Sequence, residues 1–106
     1  MSYRYMRMIL FFDLPSVKYA DQKSYRKFRK FLIKEGFLQM QESVYIKLAI
    51  NNSVAESISS KIRKQCPNAG TVQMLVVTEK QFASMISFVG QFDSESINSD
   101  ERMVVL

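Results

Sequence analysis

Histidine is absent from this chain of 106 residues, cysteine occurs once, proline twice and glycine three times. Each scarcity excludes a class of chemistry. Without histidine, Ser-His-Asp and Cys-His catalysis are ruled out. With one cysteine and no histidine, a structural zinc site lacks its nitrogen and sulfur donors. Any catalysis therefore rests on carboxylates, Lys, Tyr, Ser, or a hard metal ion held by oxygen. The lone Cys66 cannot close an internal disulfide, which fits a reducing cytoplasm. Gly36, Gly70 and Gly90 lie too far apart in the sequence to build a phosphate-cradling glycine loop. No apolar run reaches the roughly 18 residues of a membrane helix, because Asp13 ends the longest N-terminal run. Arg4 and Arg7 precede a short β-like run with no small-residue cleavage site, so no secretory signal is read. A cytoplasmic protein without a membrane partner is expected.

What is present is an apolar, unevenly charged domain. Hydrophobic residues make up 47 % and charged residues 24 % of the chain. This is too apolar for disorder and enough for one globular core. Residues 1–50 carry ten Lys/Arg against four Asp/Glu; residues 51–106 carry five against six; the formal net charge is +5. A basic half on a small domain points to an anionic partner, nucleic acid first. The plainer alternative is a solubilising surface.

Periodicity then divides the chain. Residues 5–12 (YMRMILFF) read as a central strand buried on both faces and stopped by Asp13-Leu14-Pro15. Arg7 is its one charged interior position, expected near an opening or an interface. Asp21 is a candidate cap for a helix over 22–35. Tyr25, Phe28, Phe31 and Leu32 form that helix's apolar stripe, and Gly36 stops it. Residues 37–50 alternate as a strand, divided near Gln41-Glu42-Ser43. Asn51-Asn52-Ser53 cap a second helix over 54–65, with Val54, Ile58 and Ile62 as its stripe, broken by Cys66-Pro67. A strand at 71–77, a short helix at 82–85 opened by Thr78-Glu79-Lys80-Gln81, and a strand at 86–92 follow. Residues 93–100 are polar, and MVVL at 103–106 reads as a last strand. The order β-α-β-β-α-β, with extra C-terminal strands, predicts an α+β ferredoxin-like fold with helices on one face of an antiparallel sheet. Residues 1–92 form the domain, and 93–106 form a flexible loop and strand. The bare sheet face requires a cover. A two-fold dimer sealed by exchanged C-terminal strands is the expected solution.

Asp13 is the leading candidate site residue. A carboxylate ending an apolar strand is costly unless something pairs with it. It either caps a turn or ligates a hard divalent cation. One carboxylate makes a poor site, but a dimer axis near the strand end would bring two Asp13 copies together around one cation and a phosphate. Lys23, Arg26, Lys27, Lys30 and Lys34, with Arg29 nearby, make a basic helix face. It is either a solvated surface or a track for a phosphate backbone. Few acidic neighbours offset it, and such contacts carry no base code. The five tyrosines are read as core rather than base-stacking groups, and the seven methionines as core filler. Ser43 is expected near Asp13 but has no base to activate it, and Cys66 is expected to be an inert helix-end residue.

MRMILFFDLP (6–15), YRKFRKFLIKEGF (25–37), QESVYIKL (41–48) and VTEKQF (77–82) together resemble the second of the two universal CRISPR adaptation proteins, the small endoribonuclease-type subunit, in its streptococcal type II-A form. The resemblance spans essentially the whole chain. It implies a ferredoxin-like homodimer and a metal-dependent endonuclease acting on single-stranded RNA or double-stranded DNA. Asp13 matches the family's metal-binding aspartate, with Mg2+ or Mn2+ as the cofactor. It also implies a scaffold that bridges two CRISPR integrase dimers and holds prespacer duplex during insertion into the repeat array, a role that does not require nuclease activity. The competing expectation is a non-catalytic ferredoxin-like module, regulatory or RNA-binding, with neither intersubunit metal nor integrase partner.

Overall fold

The structure, a computed structural model, describes residues 5–15 and 17–90. Its elements run β1 (Met6–Asp13), α1 (Tyr19–Lys34), β2 (Leu38–Gln41), β3 (Val44–Ala49), α2 (Asn52–Gln65), β4 (Thr71–Thr78) and α3 (Glu79–Ala83). The four strands form one antiparallel sheet in the order β2-β3-β1-β4. The ferredoxin-like α+β expectation is met. Among the described residues, no helix is long and apolar enough to cross a membrane.

Strand alternation decides what each face of the sheet does. Met8, Leu10 and Phe12 of β1 and Tyr45 and Ala49 of β3 point to the helix side. There they pack with Phe28 and Leu32 of α1, with Phe37, and with Ala55, Ile58 and Ile62 of α2. Phe12 is the hub. Its ring meets Tyr25 and Phe28 edge-on and stacks on Tyr45, each with centroids 5.4 Å apart. Such ring pairs add about 0.5–1.5 kcal/mol each beyond the area they bury. Both predicted helix stripes are therefore core.

The opposite face is apolar as well. The register aligns Leu38, Ile46, Ile9 and Leu75 in a row across all four strands. Ile9 and Ile46 are buried at its centre, while Leu38, Leu75, Phe11 and Leu48 are exposed around them. β1 is thus central as expected, but Phe11 breaks its burial on this side.

Local chemistry sets the element ends. Asn51 caps α2 by accepting the Val54 amide at 2.9 Å. Thr78 and Gln81 form a reciprocal capping box on α3. The turn Glu42-Ser43 divides residues 37–50 as anticipated, with a register shift between Gln39 and Gln41. Gly36 closes α1 with φ of 98°.

Three expectations are corrected. α1 begins at Tyr19, so its N-cap is Lys18, which makes no side-chain cap, and Asp21 lies inside the first turn. There its carboxylate faces the positive end of the helix dipole instead of capping an amide. The short helix ends at Ala83 rather than running over 82–85, because the Thr78 cap starts it at Glu79. Residues 86–90 form no strand, and Phe88 and Val89 stand almost fully exposed. Apolar residues alone do not make a strand without a neighbouring strand to bond. The expected strand and loop beyond residue 90 lie outside the described residues.

Candidate functional site

Asp13 is the last residue of β1, exposed, and followed by buried Leu14 and exposed Pro15. Alternation puts it on the same side of the strand as Ile9 and Phe11, so it closes the apolar outer face with a carboxylate. A cleft of about 410 Å³ opens at this strand end. Three elements build it. β1 contributes Asp13, the first turns of α1 contribute Gln22, Tyr25 and Arg26, and the β2–β3 turn contributes Glu42 and Ser43. The hairpin turn is tied to β1 where the Phe12 amide donates to the Ser43 carbonyl at 3.1 Å. Ser43 thus lies beside Asp13, as anticipated. Tyr25 bridges both readings: it packs its edge on Phe12 and also lines the cleft.

Glu42 and Gln22 went unnoticed in the sequence. Glu42 had one available signal, its place in the turn dividing residues 37–50. Gln22 had none, since nothing local ties it to Asp13.

The oxygen donors in the cleft are hard ones: the Asp13 and Glu42 carboxylates, the Ser43 hydroxyl and the Gln22 amide. Such a set suits Mg2+ or Mn2+, which take one or two carboxylates and complete their shell with water and phosphate. Among the described residues, no three carboxylate or thiol side chains gather in one place, so one chain offers no all-protein cage.

The six basic residues of α1 divide into three groups. Arg26 reaches the cleft. Arg29 is half-buried and donates to the Gln39 side chain at 3.4 Å. Lys23, Lys27, Lys30 and Lys34 are exposed. The ion pairs among the described residues, Arg7–Glu79 and Lys61–Glu35, do not engage them. Cys66 is the C-cap of α2, packed against the core. Burial pushes its thiol pKa up, against a weaker opposing pull from Arg63, which keeps it protonated and inert as expected.

The family model described as CRISPR associated protein Cas2 matches residues 6–85. A CRISPR-associated endoribonuclease Cas2 of Streptococcus mutans is 48 % identical over 101 residues, covering 95 % of this chain and 93 % of that protein. The protein of the same name from Treponema denticola is also 48 % identical over 101 residues, covering 95 % of this chain and all of its own length. The one from Ligilactobacillus salivarius is 43 % identical with the same coverage. A match across all four strands and both long helices, at this identity, settles the lineage: the chain belongs to the CRISPR-associated Cas2 family.

Proposed function

We propose that this chain is a homodimeric subunit of CRISPR spacer acquisition. It binds prespacer double-stranded DNA and bridges integrase dimers, and it carries a metal-dependent phosphodiesterase site at paired Asp13 residues that cleaves single-stranded RNA or double-stranded DNA. The observation that carries this reading is the placement of Asp13. It is an exposed carboxylate at the end of the central strand, on the same side as a sheet face rich in exposed leucine and phenylalanine. Two copies packed through that face would bury Phe11, Leu38, Leu48 and Leu75 and bring their strand ends toward a common axis. The basic face of α1 lies across the sheet from this interface. It would remain free for a duplex backbone, in keeping with the formal charge of +5.

Asp13, with Glu42 beside the same cleft, would hold the cation. When bound, the ion supplies positive charge against a phosphate and lowers the pKa of water. Arg26 orients the phosphate from the α1 side with a second fixed charge. Ser43 takes no nucleophilic part, because both carboxylates beside it are given to the cation. The relatives named endoribonucleases support a nuclease reading in general.

Light scattering is expected to give twice the chain mass of 12.4 kDa. Asp13→Ala is expected to abolish Mg2+-dependent cleavage while leaving the melting temperature nearly unchanged, because exposed positions contribute little to stability. Cleavage persisting in a clean preparation of the variant would end the catalytic part. Retained duplex binding without cleavage would leave the scaffold part standing.

A further inference from the structure

Gly70 presses against the backbone that carries Asp13. It sits at φ +88°, directly before β4, whose first residue Thr71 pairs with Asp13. A Cβ at position 70 would stand 2.6 Å from the Asp13 carbonyl oxygen, 2.8 Å from Leu14 Cδ2 and 2.9 Å from Leu14 Cα. Two of these three atoms are backbone, in a strand end that cannot swing aside like a side chain. Accommodating even one methyl group there requires the Asp13–Leu14 segment itself to shift.

We propose that Gly70 is a positioning residue for the Asp13 carboxylate. The bare α-carbon at position 70 lets the turn before β4 close onto the end of β1 and fixes where Asp13 points. The proposal rests on the reading of Asp13 as a cation ligand. A cation shared between carboxylates tolerates little displacement of any one of them, and removing the support behind a metal ligand typically weakens binding about 10–100-fold.

The molecule contains its own control. Gly36 also has a positive φ, 98°, so alanine there suffers comparable backbone strain. Its nearest obstacle is Lys47 Nζ at 2.6 Å, the free end of a flexible chain that can move away. Gly36→Ala thus reproduces the strain without touching Asp13.

The test measures Mn2+ binding to the purified full chain by the loss of the free-ion electron paramagnetic resonance signal, with thermal melting in parallel. Wild type, Asp13→Ala, Gly36→Ala and Gly70→Ala are compared. Gly70→Asn, whose residue tolerates positive φ yet carries the same Cβ, is read if the alanine variant does not fold. The expected result is Mn2+ binding weakened about tenfold or more in the position-70 variants, as in Asp13→Ala, while Gly36→Ala binds like wild type. Equal binding in the Gly36 and Gly70 variants, with Asp13→Ala impaired, would overturn the positioning role alone. Unimpaired binding in Asp13→Ala would overturn the cation reading beneath it.

Discussion

Arg7 and Glu79, 72 residues apart in the sequence, form a two-pronged ion pair. Arg7 Nε donates to Glu79 Oε1 at 3.0 Å, and Nη2 donates to Oε2. The same guanidinium lies over the Phe82 ring, 4.4 Å from its centroid. One arginine on the outer face of the sheet thus grips α3 through both a carboxylate and an aromatic face. That sets the direction in which the chain leaves the sheet toward residue 90.

Breaking this grip should be measurable. Arg7 is largely covered but Glu79 is 42 % exposed, so water screens part of the pair. Glu79→Gln is expected to cost about 1 kcal/mol. On a domain of this size that lowers the melting temperature by about 4–8 °C. Arg7→Lys should cost a similar amount, because an ammonium cannot make the fork or stack as a plane. Thermal unfolding by circular dichroism checks both, and an unchanged Arg7→Lys melt would show that the fork contributes nothing.

The exposed lysines of α1 predict an ionic-strength signature. Reversing the charge at Lys23, Arg26, Lys27 and Lys30 should weaken duplex binding. It should also flatten the plot of log affinity against log salt, by about 0.9 for each phosphate that the helix no longer neutralises. Fluorescence anisotropy over a salt series measures both. An unaltered slope would remove this helix from the interface.

Tyr45 predicts an alkaline effect. Its side chain is fully buried, and its hydroxyl lies beside the Arg29 guanidinium. Burial raises its pKa above the ordinary 10.0, and the nearby Arg29 guanidinium opposes this only in part. A pKa raised in the folded state means that the fold favours the protonated phenol. That contribution is intact below pH 10 and fades as pH climbs through the raised value. Tyr45→Phe should therefore be close to neutral at pH 7, and stabilising relative to wild type above pH 10. Urea unfolding at the two pH values measures this, and a large loss at pH 7 would show that the hydroxyl is held by a strong hydrogen bond to Arg29.

The core was legible because its signals are local. Phe28 and Leu32 repeat at helical spacing, Met8, Leu10 and Phe12 belong to an apolar run of strand length, and all five are buried, although the run's expected burial on both faces fails at Phe11. Asp13 was legible because a carboxylate after an apolar run is conspicuous. The rest of the cleft was not, since Gln22, Arg26 and Glu42 meet Asp13 only after three elements pack. Arg7 announced itself as an odd charge in a strand, but its partner, 72 residues away, left no trace in the local pattern. Residues 86–90 mislead for the opposite reason. Their hydrophobicity is strand-like, yet pattern carries no information about whether a neighbouring strand exists.

The position of β1 between β3 and β4 has a consequence for biosynthesis. Among the described strands, the earliest in sequence is the one whose ladder closes last, because its β4 partner spans Thr71–Thr78. Until those residues emerge, MRMILFF can pair only with β3 and keeps its other edge open, and the β1–β4 pairings that complete it are among the most distant of the described residues. Nascent chains stalled before β4 should accordingly be recognised by holdase chaperones, whereas those stalled well after it should already resist protease.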